Sequence, residues 1–263
     1  MATPRALVLR TAGTNCDQET RHALELAGAE AKLLHINRLV ESPCSLAGFQ
    51  ILVLPGGFTY GDDVAAGKIL AVELMHTLRQ AFEGFIQNGG VMLGICNGFQ
   101  ILVKTGLLPG ARFSPADKRN ITLSHNLSGK FEARWIRLKA PENVVCVLAE
   151  PGETLELPVA HGEGRLVSRN PGTLRELADN GQVVYRYAGR NEGDPSYPED
   201  PNGSADFIAG ICDRSGRVFG LMPHPERYVY GCQHPRWTRE GRGGTEGDGL
   251  RLFRRAVAFF AKR

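Results

Sequence analysis

Apolar residues in the first half of the chain form runs of strand length, separated by stretches with a helical period. The runs are Ala6–Leu9, Ala31–Ile36, Phe49–Leu54 and Val91–Ile95. Before the last run, apolar residues recur with helical spacing at Leu70, Leu74, Leu78, Phe82 and Phe85, until Asn88-Gly-Gly ends the pattern. This alternation predicts a parallel sheet with helices on both faces.

Local signals place two more helices in the same half. Asp17 stands where it would cap a helix that runs through Ala27. Gly98–Val103 predicts a second helix, which Gly106 would end.

The second half of the chain is richer in strand patterns. The strand candidates are Phe131–Leu138, Leu157–Ala160, Val183–Tyr187, Phe207–Cys212 and Val218–Met222. Arg214-Ser-Gly supplies a hairpin turn, and residues 189–205 predict a long surface loop rich in Gly, Pro and acidic residues. A final helix is predicted over Asp248 to Lys262, with one apolar face formed by Leu250, Phe253, Val257 and Phe260. Too little chain follows the loop for a second core, so we predict one domain over residues 1–263.

Composition narrows the class of protein. Hydrophobic residues make up 42% of the chain, and a net charge of +3 is too small to indicate a nucleic-acid partner. No apolar stretch approaches the roughly 20 residues that a membrane helix needs. The first residues are typical of a strand and not of a signal peptide. We therefore predict a cytoplasmic protein without a membrane or nucleic-acid partner.

Six cysteines are scattered along the chain without a CxxC pair. The nearest approach to a metal-binding pattern is Cys232-Gln-His234, so we predict no metal site. In a reducing compartment most of these cysteines would be small buried apolar residues.

Cys96 differs from the others because it lies between the Val91–Ile95 strand and a helix. Gly94 and Gly98 flank it, and glycine at these positions allows a sharp strand-to-helix turn. The N-terminus of a helix favours a thiolate, the reactive form of a cysteine nucleophile. The Asn97 N–H would face the same place and stabilise an oxyanion. The alternative is a structural cysteine beside packing glycines.

A cysteine nucleophile requires a base, and His224 follows the Val218–Met222 strand. The prolines on either side of it fix the backbone, and strand ends are where active sites of open α/β sheets gather. In an extended segment, His224 and Glu226 would lie on the same side, so that the carboxylate fixes the imidazole tautomer. The alternative is a surface histidine followed by an exposed glutamate.

Cys16 is a rival nucleophile, because it too lies in a glycine-containing turn before a helix. The neighbouring Asp17 would oppose formation of a thiolate there, which favours Cys96. The remaining histidines are weaker candidates for the base: His22 and His76 in helix patterns, His35 on a strand and His234 in an irregular tail.

Three short motifs make the sequence resemble the class I, triad-type glutamine amidotransferases. They are Leu54-Pro-Gly-Gly57, Gly94-Ile-Cys96-Asn-Gly-Phe-Gln100 and Pro223-His-Pro-Glu226. Further blocks are similar to the glutaminase components of phosphoribosylformylglycinamidine synthases, including Gly13-Thr-Asn-Cys-Asp-Gln-Glu19, Phe58-Thr-Tyr-Gly-Asp-Asp63, Ser128-Gly-Lys-Phe-Glu-Ala-Arg-Trp135 and Ala160-His-Gly-Glu-Gly164. The blocks occur in family order over essentially the whole chain.

The resemblance implies a flavodoxin-like, open and mostly parallel sheet with β-rich additions in the second half. It also implies a catalytic triad of Cys96, His224 and Glu226, with the amides of Gly57 and Asn97 as the oxyanion hole. The residues expected to help hold the substrate, L-glutamine, are Gln100, Asn126, His161 and Gly162.

The resemblance further implies that a separate synthetase subunit uses the released ammonia. That subunit would bind ATP and Mg and convert formylglycinamide ribonucleotide to its amidine, and a small bridging subunit would join the complex. This chain has no GxxxxGK[ST] phosphate-binding loop, so we expect no cofactor on it. Residues 189–205 and the tail after Tyr230 are the expected contact surface. Two alternatives stay open: another class I amidotransferase or cysteine hydrolase on the same fold, and a catalytically silent assembly subunit.

Overall fold

The computed structural model describes residues 3–189 and 193–261, and its main feature is a nine-stranded sheet. The strands in chain order are β1 (Arg5–Arg10), β2 (Glu30–His35), β3 (Ile51–Leu54), β4 (Val91–Ile95), β5 (Ile121–Ser124), β6 (Glu132–Lys139), β7 (Thr154–His161), β8 (Arg165–Ser168), β9 (Val183–Ala188), β10 (Ile208–Cys212) and β11 (Val218–Leu221). Across the sheet the order is β2-β1-β3-β4-β11-β10-β9-β6-β7, and β5 pairs separately with β8.

The first five strands in that order are parallel to one another. β1 pairs with β2 and β3, and β4 pairs with β3 and β11. Counted along the chain, this is the 2-1-3-4-5 order of flavodoxin-like folds. From β11 onward every pairing is antiparallel. The prediction of a flavodoxin-like sheet with β-rich additions is therefore confirmed.

Helices connect the parallel strands and close the chain. They are α1 (Asp17–Leu26), α2 (Ile36–Glu41), α3 (Lys68–Glu73), α4 (Arg79–Gln87), α5 (Asn97–Thr105), α6 (Leu107–Gly110), α7 (Pro171–Asp179) and α8 (Leu250–Ala261). A π-helical turn, Leu74–Leu78, joins α3 to α4, so the predicted long helix is present with a bulge in its middle. In the described ranges, no helix combines the length and the apolar character needed to cross a bilayer.

Burial explains the two kinds of strand pattern. β3, β4 and β11 are buried at every residue, which is why their sequences are continuous apolar runs. β7 instead alternates buried with half-buried positions, as a strand of the antiparallel part does. β9 and β10, on either side of the predicted surface loop, are neighbours in the sheet. Residues 190–192 of that loop lie outside the described residues.

Several elements differ from the sequence prediction. Asp17 does not cap α1: Cys16 holds the N-cap position, and the Asp17 carboxylate lies 3.2 Å from Arg10 Nε. The elements that the sequence did not predict are α2, α6, α7, β5 and β8. A signal for α7 was present, because Asn170 precedes a proline and its side chain accepts from Gly172 N at 2.8 Å. Lys262, the predicted end of the last helix, lies outside the described residues.

Helix α5 packs directly on the end of β3, because Gly98 has no side chain. A Cβ at Gly98 would lie 1.9 Å from the carbonyl oxygen of Leu54, which is far inside the contact distance. A Cβ at Gly94 would lie 2.7 Å from the Gly98 carbonyl oxygen. These two close approaches allow the helix to begin immediately after β4 ends.

Gly98→Ala should therefore lower the free energy of unfolding by about 3 kcal/mol or more, since the rigid backbone of Leu54 must move aside. The matched control is Gly84→Ala in α4, where a Cβ would meet nothing within 4 Å. That variant should gain up to about 1 kcal/mol from helix propensity. Equilibrium denaturation of both variants measures the difference, and equal stabilities would contradict the packing argument.

Candidate active site

Cys96 forms the turn between β4 and α5, as the sequence predicted. Its backbone angles are φ 50° and ψ −105°, a conformation that costs a non-glycine residue about 1–3 kcal/mol. The Cys96 N–H donates to the carbonyl oxygen of Leu221 at 2.7 Å, which anchors the turn to β11. Cys96 is the N-cap residue of α5, and it is 5% exposed to solvent.

His224 follows β11, the strand beside β4. Its Nδ1 lies 2.6 Å from Glu226 Oε1, and both side chains are buried. The predicted pair is present, but the predicted extended backbone is wrong. Pro225–Arg227 forms a turn of 3-10 helix, because the fixed φ of proline suits the first helical position. This turn brings the carboxylate back to the imidazole.

The imidazole of His224 favours its protonated form. Burial opposes the charge, but the Glu226 carboxylate and then the Cys96 thiol outweigh it, so the pKa of His224 lies well above its ordinary value. Among the described residues, His224 Nε2 has no hydrogen-bond partner, and the Cys96 thiol points to the Ala160 carbonyl oxygen at 3.7 Å. Catalytic hydrogen bonds often tighten only when substrate binds. Since Glu226 occupies Nδ1, Nε2 is the atom left to exchange a proton with Cys96.

The two amides expected to form the oxyanion hole, those of Gly57 and Asn97, have no backbone hydrogen-bond partner among the described residues. Gly57 has φ 142°, and a Cβ there would lie 2.7 Å from the nitrogen of Asn15. Phe58 N–H donates to the Gly13 carbonyl oxygen at 2.9 Å, whereas in the described chain the Gly57 amide makes no backbone hydrogen bond. Asn97 is the first residue of α5, so its N–H has no partner within the helix. The structure thus leaves both amides of the predicted oxyanion hole available.

The side chain of Asn97 is fully engaged with the protein. Its Oδ1 accepts from the Thr59 hydroxyl at 2.7 Å, and its Nδ2 donates to Asp62 Oδ1 and Gln100 Oε1, both at 3.0 Å. These bonds hold the segment after Gly57 against the first turn of α5. Sequence reasoning missed Thr59 and Asp62, although both lie in a block that carries the family resemblance.

Asn126, an expected substrate contact, builds the loop after β7 instead. Its Nδ2 donates to the carbonyl oxygens of Lys130 and His161, both at 2.8 Å. Its Oδ1 lies 3.0 Å from His161 Nδ1 and accepts from Gly164 N at 3.1 Å. Every donor and acceptor of the amide is used, so this side chain positions the loop. A contact between Asn126 and the substrate stays a prediction.

The other expected substrate contacts lie around the same loop. Gln100 is buried, and its Nε2 donates to the Glu163 carbonyl oxygen at 2.5 Å. Gly162 is half-buried, and a Cβ there would meet only Phe131, at 3.9 Å, so the space beside it is open. Gln100 thus fixes the loop, while Gly162 borders free space.

His161 is neutral, in contrast to His224. Burial, followed by the nearby charge of His224, lowers the pKa of His161 to about 4. Its Nδ1 donates to Asn126 Oδ1, so its buried Nε2 is an acceptor, and it has no partner within the described residues. A buried acceptor without a partner indicates a place for a donor group of a ligand.

Cys16, the rival nucleophile, lies in the same site, but it faces Nδ1 of His224 and not Nε2. Its Sγ is 4.0 Å from His224 Nδ1, the nitrogen that Glu226 already occupies, and the residue is 0% exposed. The structure therefore favours Cys96 as the nucleophile. Cys16, His224 and Glu226 bring three potential metal ligands together. That the chain binds no metal stays a prediction.

The remaining histidines lie apart from the triad. His22 and His76 are exposed, and His35 caps α2. His234 is buried, and its Nε2 lies 3.3 Å from Glu156 Oε2.

Comparison with known proteins agrees with this geometry. The CobB/CobQ-like glutamine amidotransferase domain matches residues 3–260, so the chain belongs to this family. The predicted class of enzyme is thereby confirmed.

Several relatives are subunits of phosphoribosylformylglycinamidine synthases. The chain is 49% identical to the phosphoribosylformylglycinamidine synthase subunit PurQ of Dehalococcoides mccartyi, over 98% of both chains. It is 40% identical to the subunit PurQ of Archaeoglobus fulgidus, over 98% of this chain and 97% of the relative. The structure of PurLQS from Thermotoga maritima contains a chain that matches with a TM-score of 0.70 and 31% identity, over 99% of this chain and 100% of that one. These similarities confirm the predicted resemblance to glutaminase components of such synthases.

We expect the pKa values of His161 and His224 to be shifted in opposite directions from about 6.5, the pKa of a free histidine. In a histidine ring NMR titration, His161 should stay neutral until the pH approaches about 4, and His224 should stay protonated above pH 6.5. His161 should therefore destabilise the fold as the pH falls from 6.5 towards 4, because only the unfolded chain gains that proton. The stability that His224 contributes should be lost as the pH rises through its folded pKa. Titration of both rings near pH 6.5 would contradict this assignment.

Proposed function

We propose that this chain hydrolyses L-glutamine and supplies the ammonia to a synthetase that forms phosphoribosylformylglycinamidine. The observation that carries the proposal is the placement of Cys96 and the His224–Glu226 pair at the ends of adjacent parallel strands. The free amides of Gly57 and Asn97 lie beside them. The ends of such strands are where open α/β folds bind and convert their ligands.

In the first half of the proposed reaction, the sulfur of Cys96 attacks the side-chain carbonyl carbon of glutamine. Protonated His224 already holds the thiol proton on Nε2, so Cys96 attacks as a thiolate. A C–S bond forms, and negative charge moves to the carbonyl oxygen. The Gly57 and Asn97 amides stabilise that charge. The C–N bond then breaks, and His224 gives its proton to the departing nitrogen, which leaves as ammonia.

In the second half, water replaces ammonia. His224 Nε2 takes a proton from water as the water oxygen attacks the thioester carbon. The C–S bond breaks, glutamate leaves, and Cys96 is again a thiolate beside protonated His224. The balance is one glutamine and one water for one glutamate and one ammonia. Glu226 stays ionised throughout and holds Nδ1.

The loop after β7 would hold the substrate. The unpaired Nε2 of neutral His161 is suited to accept from an N–H of glutamine, and the open space beside Gly162 is suited to its main chain. Gln100 and Asn126 would contribute by fixing this loop.

The ammonia would be consumed on another subunit. The name of the relatives and the PurLQS complex of Thermotoga maritima support a synthetase partner of the PurL kind. We place ATP and Mg on that synthetase, and we include a small bridging subunit of the PurS kind in a cytoplasmic complex. The two alternatives, another hydrolase and a silent assembly subunit, have less support, because the triad residues are all present and the relatives share one name.

Cys96→Ala should abolish synthesis from glutamine in the complex with the synthetase, because the attacking sulfur is gone. Synthesis from added ammonium salt should continue at the wild-type rate, because only the nitrogen source is lost. Product formation with each nitrogen source measures both effects. The control is Cys44→Ala, since Cys44 is exposed and outside the site. Glutamine-dependent synthesis by the Cys96→Ala variant would contradict the proposed mechanism.

Exposed apolar side chains border the site on two sides and favour it as the contact surface. Phe58 and Val64 are 46% and 71% exposed on the segment after Gly57. Leu127 and Phe131 are 72% and 54% exposed near the loop after β7. Exposed apolar patches commonly mark protein interfaces. We propose that the synthetase covers this rim, in place of the contact surface expected from sequence.

Val64→Asp should weaken the complex by about tenfold or more, because a buried interface would desolvate the new charge. The matched control is Val145→Asp, at an apolar position that is 41% exposed outside the rim. Titration of labelled chain with synthetase measures both dissociation constants. Equal affinities of the two variants would place the interface elsewhere.

A further inference from the structure

The sulfur of Cys16 lies within the candidate site, although the reaction above does not use it. Its Sγ lies 4.0 Å from His224 Nδ1 and accepts from Arg227 Nη2 at 3.0 Å. Its S–H donates to Asn15 Oδ1 at 3.2 Å. Because the residue is 0% exposed, substrate cannot reach it.

The position of this sulfur is fixed by the backbone around it. The Cys16 N–H donates to the Gly56 carbonyl oxygen at 3.3 Å, and the Cys16 carbonyl accepts from Thr20 N and Thr20 Oγ1, at 3.1 and 2.6 Å. A Cβ at Gly56 would lie 3.4 Å from Sγ and 2.7 Å from Cε1 of His224. The sulfur of Cys16 and the imidazole of His224 therefore both pack against the backbone of Gly56, which has no side chain.

Arg227 connects this sulfur to the acidic member of the triad. Its Nε lies 4.0 Å from Glu226 Oε1, while its Nη2 bonds to Cys16. Burial opposes the charge of Arg227, but Cys16 and then Glu226 outweigh it and raise the pKa of the guanidinium. Glu226 and Cys16 thus both lie beside Nδ1 of His224, and Arg227 contacts both of them.

We propose that Cys16 is a positioning residue for glutamine hydrolysis: with Arg227, it holds the His224 imidazole against Glu226 so that Nε2 faces Cys96. The inference rests on the function proposed above. It gives a role to the cysteine of the Gly13–Glu19 block, which touches neither substrate nor the reacting sulfur. A misplacement of about 1 Å in a catalytic group can reduce turnover about a hundredfold.

The test compares Cys16→Ala, Cys16→Ser and Cys146→Ala in the complex with the synthetase. Cys16→Ala should lower the kcat for glutamine about tenfold to a hundredfold and leave KM within about twofold, because substrate contacts are intact. Cys16→Ser should recover most of the loss, since a hydroxyl can still accept from Arg227 and donate to Asn15. Cys146→Ala, at a buried cysteine outside the site, should match wild type. Synthesis from ammonium salt should be unchanged in all three.

The pH profile separates positioning from general damage. The titratable and charged groups around His224 are Glu226, Cys96, Cys16 and the neutral His161, together with Arg227, which contacts Cys16 and Glu226. Cys16 raises the pKa of His224, so its loss should move the alkaline limb of kcat/KM to lower pH. Damage to the fold alone would lower activity at every pH without moving that limb.

The outcomes are distinct. Wild-type kcat and pH profile in Cys16→Ala would overturn the inference, as would a loss shared equally by the ammonium-dependent reaction. If the wild-type complex itself consumes no glutamine, the function proposed above fails, which is a different result. Should Cys16→Ala not fold, Arg227→Met takes its place, because that side chain is 37% exposed and tolerates change more readily. A wild-type kcat in Arg227→Met would then overturn the inference.

Discussion

The backbone conformation of Cys96 is the constraint on which the rest of this structure depends. A non-glycine residue keeps a φ of 50° only where its surroundings leave it no relaxed alternative. Gly98 supplies that condition, because its bare Cα lets α5 rest on the carbonyl of Leu54. The Cys96 N–H also bonds to the end of β11. The turn therefore joins β3, β4 and β11 at one edge, and all the candidate chemistry lies at that edge.

The second organising principle is a difference in charge between two buried imidazoles. His224 has a carboxylate at 2.6 Å and stays protonated, whereas His161 faces an amide oxygen and a nearby cation and stays neutral. Burial alone would neutralise both rings, so the partner of each ring decides its state. One ring is thereby suited to move a proton, and the other to accept a hydrogen bond without competing for that proton.

Sequence predicted those features of the fold and site that depend on local signals. Continuous apolar runs indicated the buried strands, and the glycines around Cys96 indicated the turn. His224 and Glu226 were paired correctly from their spacing, but by the wrong backbone, because Pro225 begins a helical turn. The short strands β5 and β8 have too few residues to show a period. Contacts across long separations were out of reach: 208 positions separate Cys16 from His224, and the engaged amide of Asn126 is visible only in three dimensions.

The hydrogen bonds of the buried Asn97 side chain connect a surface segment of this protein to its interior. Thr59 and Asp62, which hold the Asn97 side chain, are flanked by the exposed Phe58 and Val64. The segment that carries these apolar side chains is therefore hydrogen-bonded to the first residue of α5. The orientation of the Asn97 peptide sets how well charge on a bound carbonyl is balanced. A partner that shifts the segment from Phe58 to Val64 would therefore also shift the amide of Asn97.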